Sequence, residues 1–329
     1  MKKIVALLLS FVLVVAMLAS CGSGVFVSID DSEDKDIKDK NKITEKEDKK
    51  DKDDNNEETK TKKEEIENKD EELEEETPLF KTILERTVNE AAGVENYGMD
   101  ATMYFDIAML SGFLEITMDI VSERDADLAY NGTATIIDSL RVGSVSETYT
   151  DYDERVEYTC TDGYWSEETV DGEPGSLAVE IPLLVYSMEE ANVDDVVYGD
   201  KDCYEITGEV EIDFLELMKT EEMDGVAESL EEYGIDEDAY ERVFSDKVPF
   251  KVELGIDKAT YLPVYFEVDL TNMLDSYIGS ATEYVSEVTE EDDVDSSVKD
   301  CRISAEYRDY GDVSIEIPYN EIYSSYYEY

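Results

Sequence analysis

Apolar and polar residues alternate with period two through much of the sequence between residues 101 and 317. Two pairs of segments show this most clearly: residues 101–109 with 114–121, and residues 248–256 with 262–270. The pattern is typical of strands that bury one face, and a short gap between two such segments predicts a hairpin. The same alternation predicts strands at residues 128–137, 145–161, 164–170, 197–212, 301–307 and 313–317.

Other segments follow a helical period. Residues 79–91 place apolar side chains on one stripe, and Thr77 and Pro78 before them predict a capped helix start. Residues 177–188 are the most apolar stretch outside the N-terminal segment, and Pro182 is expected to begin a helix there. The remaining predictions are a helix at 213–233, a short helix at 237–244, a helix or loop at 273–285, and an acidic loop at 290–300.

Together these elements predict one α+β domain over residues 77–329. A helix comes first, and a long run of antiparallel strands with inserted helices follows. Because each strand has one apolar face, the helices are expected to cover one face of a large meandering sheet.

The N-terminal 20 residues have the pattern of a secretory signal peptide. Lys2 and Lys3 precede an apolar run from Ile4 to Leu18 that only Ser10 interrupts. A run this short falls below the roughly 20 residues that span a bilayer as a helix. The run ends Leu18-Ala19-Ser20-Cys21, which resembles the lipobox of bacterial lipoproteins. That resemblance implies diacylglycerol attachment to Cys21, cleavage before it, and a lipid-anchored protein on the extracytoplasmic face of the cell membrane.

Residues 21–76 predict a charged, disordered tether between this anchor and the domain. Residues 28–76 contain 23 acidic and 12 basic residues, and no aromatic residue lies between Phe26 and Phe80. Such a segment cannot bury enough apolar surface to offset the conformational entropy lost on folding.

Charge and composition exclude several classes of function. The chain has 86 acidic and 28 basic residues, so a nucleic-acid partner and direct attraction to anionic lipid headgroups are not expected. It contains no histidine, which removes Ser-His-Asp and Cys-His catalysis and imidazole metal sites. We therefore expect a protein that is not an enzyme and that holds no cofactor and no metal; no protein partner is predicted.

Three weaker signals leave alternatives open. Asp125, Asp127 and Asn131-Gly132 loosely resemble a calcium loop without matching the calcium-binding pattern, and solvated loops are the simpler interpretation. Pairs of carboxylates could serve glycoside hydrolysis, but so acidic a chain forms such pairs by chance. Trp165 and the C-terminal tyrosines could stack on sugars or peptides, although tyrosine also suits half-buried strands; these tyrosines are Tyr319, Tyr323, Tyr326, Tyr327 and Tyr329.

The order of elements resembles the LolA/LppX-like lipoproteins. The similarity lies in the lipobox, the tether, the segment Gly199–Gly208, the hairpin Val248–Leu270 and the ending Tyr310–Pro318. It implies a curved antiparallel half-barrel with helices on its concave face, and a cavity between sheet and helices that carries lipids or lipidated proteins. The heavy negative charge of this chain departs from the better-known carriers.

The residues themselves predict where an apolar ligand would lie. The alternating strands share one long apolar face, and the segment around Leu184 is too apolar to remain in water. Methionines there suit a cavity that accepts varied shapes. The alternative is a non-catalytic surface-interaction or sensor lipoprotein in which the same residues pack a solid core. The candidate ligand-facing residues are Met103, Phe105, Ile107, Met118, Leu183, Leu184, Met188, Phe250, Val252, Leu254, Phe266 and Val268.

Strand parity also predicts the state of two cysteines. Cys301 alternates with the apolar face of its strand, whereas Cys203 falls on the opposite face of its own. Because a disulfide needs Cβ atoms about 3.8 Å apart, we expect no bridge between them.

Overall fold

The computed structural model describes residues 77–109, 112–170, 175–213, 241–245, 247–289 and 296–325. The anchor and tether predictions, which cover residues 1–76, therefore lie outside the described residues. So do residues 214–233 of the helix predicted at 213–233 and residues 237–240 of the one predicted at 237–244, of which residues 241–243 are described and helical.

Eleven strands form a single antiparallel sheet in the order β6-β5-β4-β3-β2-β1-β11-β10-β9-β8-β7. Within the described residues β6 and β7 are its two edges, so the sheet is open. The strands are β1 Asn96–Met109, β2 Gly112–Asp125, β3 Leu128–Ile137, β4 Val142–Asp151, β5 Val156–Thr161, β6 Tyr164–Thr169, β7 Ala191–Tyr198, β8 Lys201–Val210, β9 Phe250–Asp257, β10 Pro263–Asp269 and β11 Ser296–Arg308.

Helices pack on this sheet, which confirms the predicted α+β architecture of a large antiparallel sheet with helices. Apolar side chains of the first three helices belong to the same buried cluster as those of β1, β2 and β8–β11. We call the sheet face that carries this cluster the covered face and the opposite one the outer face. The helices that lie wholly within the described residues are α1 Leu79–Ala91, α2 Leu177–Tyr186, α3 Thr271–Thr289 and α4 Tyr319–Ser325.

In β3–β6 the apolar core lies on the outer face, whereas in the other strands it lies on the covered face. On the covered face these strands carry threonine and serine, and Thr148 Oγ1 lies 3.3 Å from Thr159 Oγ1 on the neighbouring strand. On the outer face they carry aromatic residues, against which Ile322 of α4 is buried. A second, smaller core therefore lies on the opposite side of the same sheet. It is formed by Tyr158, Ile317 and Ile322 with Leu128, Tyr149, Val156 and Trp165.

Several predicted strands have different boundaries. The strand predicted at 145–161 is two strands, β4 and β5, joined by a turn in which Asp151 Oδ1 accepts a hydrogen bond from Glu154 N–H at 2.9 Å. The strand predicted at 197–212 is instead a hairpin of β7 and β8, which turns at Gly199 with φ 61°. The hairpin predicted at Asp162-Gly163 is confirmed, with φ 51° and 88°, the left-handed pair that a type I′ turn requires.

The C-terminal part also departs from expectation. Residues 296–300 belong to β11 rather than to an acidic loop, because they pair with the end of β1. Residues 313–317 bury their apolar side chains as their alternation predicts, but they form no strand. The N–H of Ile315 instead donates to Asp125 Oδ2 at 3.2 Å. Residues 271–289, which the sequence left as a helix or a loop, form the helix α3.

Two helix starts were predicted wrongly. Helix α1 begins at Leu79 with Pro78 at the capping position and no capping side-chain hydrogen bond, so Thr77 does not cap it. Helix α2 begins at Leu177, and Pro182 lies inside it.

Candidate functional site

Eleven of the twelve predicted ligand-facing residues come together on the covered face. All eleven are buried in one apolar cluster that joins the sheet to the helices. Their exposed fractions run from 0% for Met103, Phe105 and Leu254 to 8% for Met118. The other members are Ile107, Leu184, Met188, Phe250, Val252, Phe266 and Val268.

Leu183 is the exception, and its prediction is corrected. Its side chain is 38% exposed, whereas its neighbours Leu184 and Val185 are 4% and 0% exposed. Because successive residues of a helix point about 100° apart, a fully apolar segment cannot direct every side chain to one surface. Leu183 lies on the side of α2 that faces away from the sheet.

Two tyrosines hold the start of α2 against the sheet. The backbone N–H of Leu177 donates to the hydroxyl of Tyr97 at 3.0 Å, and the hydroxyl of Tyr307 donates to the carbonyl of Leu177 at 2.9 Å. Both rings are buried and belong to the central strands β1 and β11. Burial raises the pKa of both phenols, so they stay neutral and keep these bonds. The apolar face of α2 is thereby fixed above the sheet.

Methionine is concentrated in this cluster. Met99, Met103, Met118, Met188 and Met273 are all buried there, and they come from two neighbouring strands, α3 and the segment after α2. Methionine is unbranched and polarisable, so it can fill gaps of different shape. Sequence analysis missed Met99 and Met273, although the continued alternation of β1 could have identified Met99.

Comparison with known proteins gives structural neighbours only. No family model matches the sequence, and no curated protein matches it. LprF from Mycobacterium bovis resembles the chain with a TM-score of 0.39 at 9% identity, over 74% of this chain and 97% of LprF. Lipoprotein LppX from Mycobacterium tuberculosis has a TM-score of 0.25 at 9% identity, over 72% and 97% of the two chains. A DUF1329 family protein from Desulfovibrio piger has a TM-score of 0.21 at 8% identity, over 72% and 93%. The family named from the sequence is thus represented among these structures.

The outer face carries a cleft that sequence analysis did not predict. It has a volume of about 590 Å³ and extends across the central strands. Two tyrosines, Tyr198 and Tyr265, stack at its side with ring centroids 4.5 Å apart. Six carboxylates line it: Asp100, Asp119, Glu205, Glu253, Glu267 and Glu306.

Hydrogen bonds and burial set the electrostatics of this cleft. The hydroxyl of Tyr265 donates to Glu205 Oε2 at 2.6 Å, and the hydroxyl of Tyr198 donates to Glu306. Burial and the bond to Glu205 raise the pKa of Tyr265, and the bond to Glu306 with burial raises the pKa of Tyr198 to about 12. Burial and the charges of Glu205 and Glu267 raise the pKa of Glu253. Both tyrosines therefore remain hydrogen-bond donors to carboxylates at neutral pH.

Gly255 makes the position of the Tyr265 ring possible. The two residues pair across β9 and β10. A Cβ atom on residue 255 would lie only 2.1 Å from Cε1 of Tyr265, so any side chain there would displace the ring. The ring of Tyr265 therefore lies over the backbone of β9 at Gly255, on the outer face of the sheet.

Asp125, one of the residues considered for calcium, forms structural hydrogen bonds instead. Asp125 Oδ1 accepts a hydrogen bond from Asn96 Nδ2 at 2.7 Å, while its Oδ2 binds the backbone of the C-terminal segment. Among the described residues, no cluster of three or more Asp, Glu or Cys side chains has the spacing of a metal site.

The described cysteines are free thiols. Cys301 lies in the main apolar cluster of the covered face, whereas Cys203 packs with Val264 and Tyr265 on the outer face. The two thiols therefore lie on opposite faces of the sheet, as the strand alternation predicts, and they form no disulfide with each other. Burial raises the pKa of both thiols, so neither is activated as a thiolate.

The aromatic residues considered for stacking on a ligand contact one another instead. Tyr319 makes an edge-to-face contact with Tyr158 at 5.9 Å and stacks on Tyr323 at 6.1 Å. Trp165 lies 6.1 Å from the ring of Tyr149. Of these contacts, the one between Tyr319 and Tyr158 joins α4 to the outer face. Tyr326, Tyr327 and Tyr329 lie outside the described residues.

No helix within the described ranges is long and apolar enough to cross a membrane.

Proposed function

We propose that this protein is a lipoprotein anchored through Cys21 to the extracytoplasmic face of the cell membrane, and that it binds an apolar ligand between the covered face and the helices. In this proposal it performs no catalysis and uses no cofactor. The two halves of the proposal, anchoring and binding, rest on different residues and are tested separately.

Anchoring is supported by the N-terminal sequence. A basic start, a short apolar run and small residues before Cys21 occur in register. Two acyl chains give lasting attachment, because each buried CH₂ contributes about 0.8 kcal/mol. The Cys21→Ser variant should accumulate as an unprocessed precursor that takes up no labelled fatty acid. Normal processing and labelling of that variant would contradict the assignment.

Ligand binding is supported by one observation above all, the five buried methionines between sheet and helices. Such side chains can rearrange around an inserted chain at lower energetic cost than branched ones can. Leu254 lies at the centre of this region with 0% exposure and pairs with Phe266 on β10. An acyl chain would displace contacts among these residues and leave the outer face unchanged.

The test is titration of the chain from residue 21 onwards, with Cys21→Ser to remove the anchor, using a fluorescent fatty acid. Saturable binding is expected, and Leu254→Trp should weaken it at least about tenfold by filling the space. Leu254→Ala should preserve or strengthen binding, because it enlarges the space and keeps the site apolar. Lys251→Trp is the matched control, since Lys251 is exposed on the outer face of the same strand.

A second candidate function is a surface-interaction lipoprotein with no internal ligand. The observation that favours it is the burial of the eleven candidate residues against one another, at 8% exposure or less. It predicts no saturable fatty-acid binding by the parent protein and no difference between Leu254→Ala and Lys251→Trp. Native mass spectrometry of protein purified from its own cells would show a bound lipid under the first function and none under the second.

A further inference from the structure

Large apolar side chains are exposed together at one end of strands β2–β6. Among the described residues, eleven large apolar side chains are exposed, and six of them lie at this end. Single exposed apolar residues are ordinary, but a group of them marks an interaction surface. The six are Phe113 (60% exposed), Ile136 (47%), Leu140 (65%), Val142 (54%), Val145 (55%) and Tyr164 (71%).

Strand pairing brings these six residues to the same rim. Phe113 lies at the start of β2, and Ile136 at the end of β3. Leu140 lies in the turn from β3 to β4, where Ile137 pairs with Val142. The N–H of Asp162 donates to the carbonyl of Val145 at 3.0 Å, which places the β5–β6 turn and Tyr164 beside β4. We call this end the apolar rim.

The apolar rim exposes apolar groups on both faces of the sheet. By register, Val142 and Tyr164 point to the covered face, whereas Phe113, Ile136 and Val145 point to the outer face. A protein partner with a flat surface would cover one face of this edge and leave the other in water. A fluid apolar phase surrounds the edge and covers both faces together with the turn tip.

The opposite rim of the same strands has a different character. Its β4–β5 turn exposes Asp153, Glu154 and Arg155, and its β2–β3 turn exposes Asp127. Large exposed apolar residues are absent from these two turns. At the apolar rim the exposed charges of the described turns are Asp138, Arg141 and Asp162, a net charge of −1, whereas the four exposed charges of the opposite rim give −2. In a chain of formal charge −58, this is an end where little like-charge repulsion opposes contact with a bilayer.

We propose that the apolar rim inserts into the interfacial region of the lipid bilayer to which the protein is anchored. Leu140 enters at the turn tip with Phe113 and Tyr164 beside it, aromatic residues being favoured at the boundary between headgroups and acyl chains. The sheet then stands with one end in the bilayer. The inference rests on the anchoring half of the proposed function and is independent of an internal ligand.

The test uses the mature protein, acylated at Cys21, reconstituted in phosphatidylcholine vesicles whose acyl chains carry bromine, a quencher of tryptophan fluorescence. The chain has a single tryptophan, so a Trp165→Phe background allows one reporter at a time. Leu140→Trp places the reporter at the apolar rim, and Glu154→Trp places it in the turn of the opposite rim. Both positions are exposed, so neither substitution disturbs a core.

Quenching at least about threefold stronger for Leu140→Trp than for Glu154→Trp, with a blue-shifted emission, is the expected result. Equal quenching of the two reporters, in protein that floats with the vesicles, would overturn the rim proposal while leaving the anchor intact. Failure of the protein to float with the vesicles would contradict anchoring itself. Self-association in the absence of lipid that Leu140→Ser abolishes would also overturn the proposal, because the rim would then be an interface between copies.

Discussion

The two halves of the sheet obey the same alternation and place opposite chemistry on their faces. In β1, β2 and β8–β11 the covered face is apolar and lies under helices. In β3–β6 the covered face carries hydroxyl groups, and Tyr149, Tyr158 and Trp165 form a core with α4 on the outer face. Period two predicts a strand equally well in both cases, but it does not say which face is buried. The side of burial is decided by the element that packs there.

This contrast limits where an internal ligand can lie. An acyl chain between sheet and helices would contact apolar side chains only over the half that contains Phe105 and Leu254. Beyond β2 the same face presents threonines such as Thr133 and Thr148. Burial of their hydroxyl groups without partners would cost free energy. The change in side-chain chemistry therefore marks one boundary of the ligand region.

The largest loss of stability is expected when a core side chain is removed from the half of the sheet whose covered face is apolar. Phe105→Ala removes a side chain of 0% exposure, and the free energy of unfolding should fall by about 3–5 kcal/mol through lost burial and a residual cavity. Urea denaturation followed by circular dichroism measures this. The matched control is Thr148→Val on the same face of β4, which should cost about 1 kcal/mol or less, because it removes only the hydroxyl contact with Thr159. Equal losses in the two variants would show that both halves are covered alike.

A smaller loss of stability is expected in β3–β6, where the apolar core lies on the outer face. Ile322→Ala should lower the free energy of unfolding by about 2 kcal/mol, because Ile322 is 0% exposed in a core of few residues that can partly close around the gap. Amide hydrogen exchange should accelerate in α4, β5 and β6 and stay unchanged in β8 and β9. Acceleration spread over the whole sheet would mean that the two cores are not separate.

The next prediction concerns the cleft on the outer face, behind the apolar covered face of β9 and β10. Gly255→Ala should destabilise the fold by about 1–3 kcal/mol, because its Cβ would displace the Tyr265 ring. Combination with Tyr265→Ala should cost less than the sum of the two single changes, since no ring remains to be displaced. A double-mutant cycle in thermal unfolding measures this coupling. Strict additivity would contradict the steric account.

The smallest effect concerns the pH dependence of this cleft. Burial and two neighbouring carboxylates raise the pKa of Glu253, so folding favours its protonated form. The stability that this provides is present at low pH and is lost as the pH rises through the raised pKa. Glu253→Gln should therefore gain less than about 1 kcal/mol over the parent at pH 7, and no advantage should remain at low pH.

Glu316→Gln is the control, because it removes one exposed carboxylate outside the cleft and changes the net charge equally. An equal gain in both variants would assign the effect to net charge alone.

Sequence analysis succeeded where local pattern and tertiary burial coincide. The apolar positions of β1, β2, β9 and β10 could be assigned because their polar partners face water on the other side. The turn between β4 and β5 was missed because Arg155 adopts φ 56° without a glycine to signal it. The outer cleft could not be predicted either. Its carboxylates look like an ordinary solvated face until strands from distant parts of the chain are set in register.

The strand order has a consequence for how the chain folds. Strands β1–β6 form one meander of consecutive neighbours, and β7–β11 form another. They join only where β1 pairs with β11, so that Gly98 meets Arg308 across most of the length of the domain. Closing so long a loop is slow. Under the proposed export from the N-terminus, β11 would also emerge nearly last. Each meander can form local hairpins on arrival, but the seam at the centre of the sheet closes only once almost the entire polypeptide has emerged.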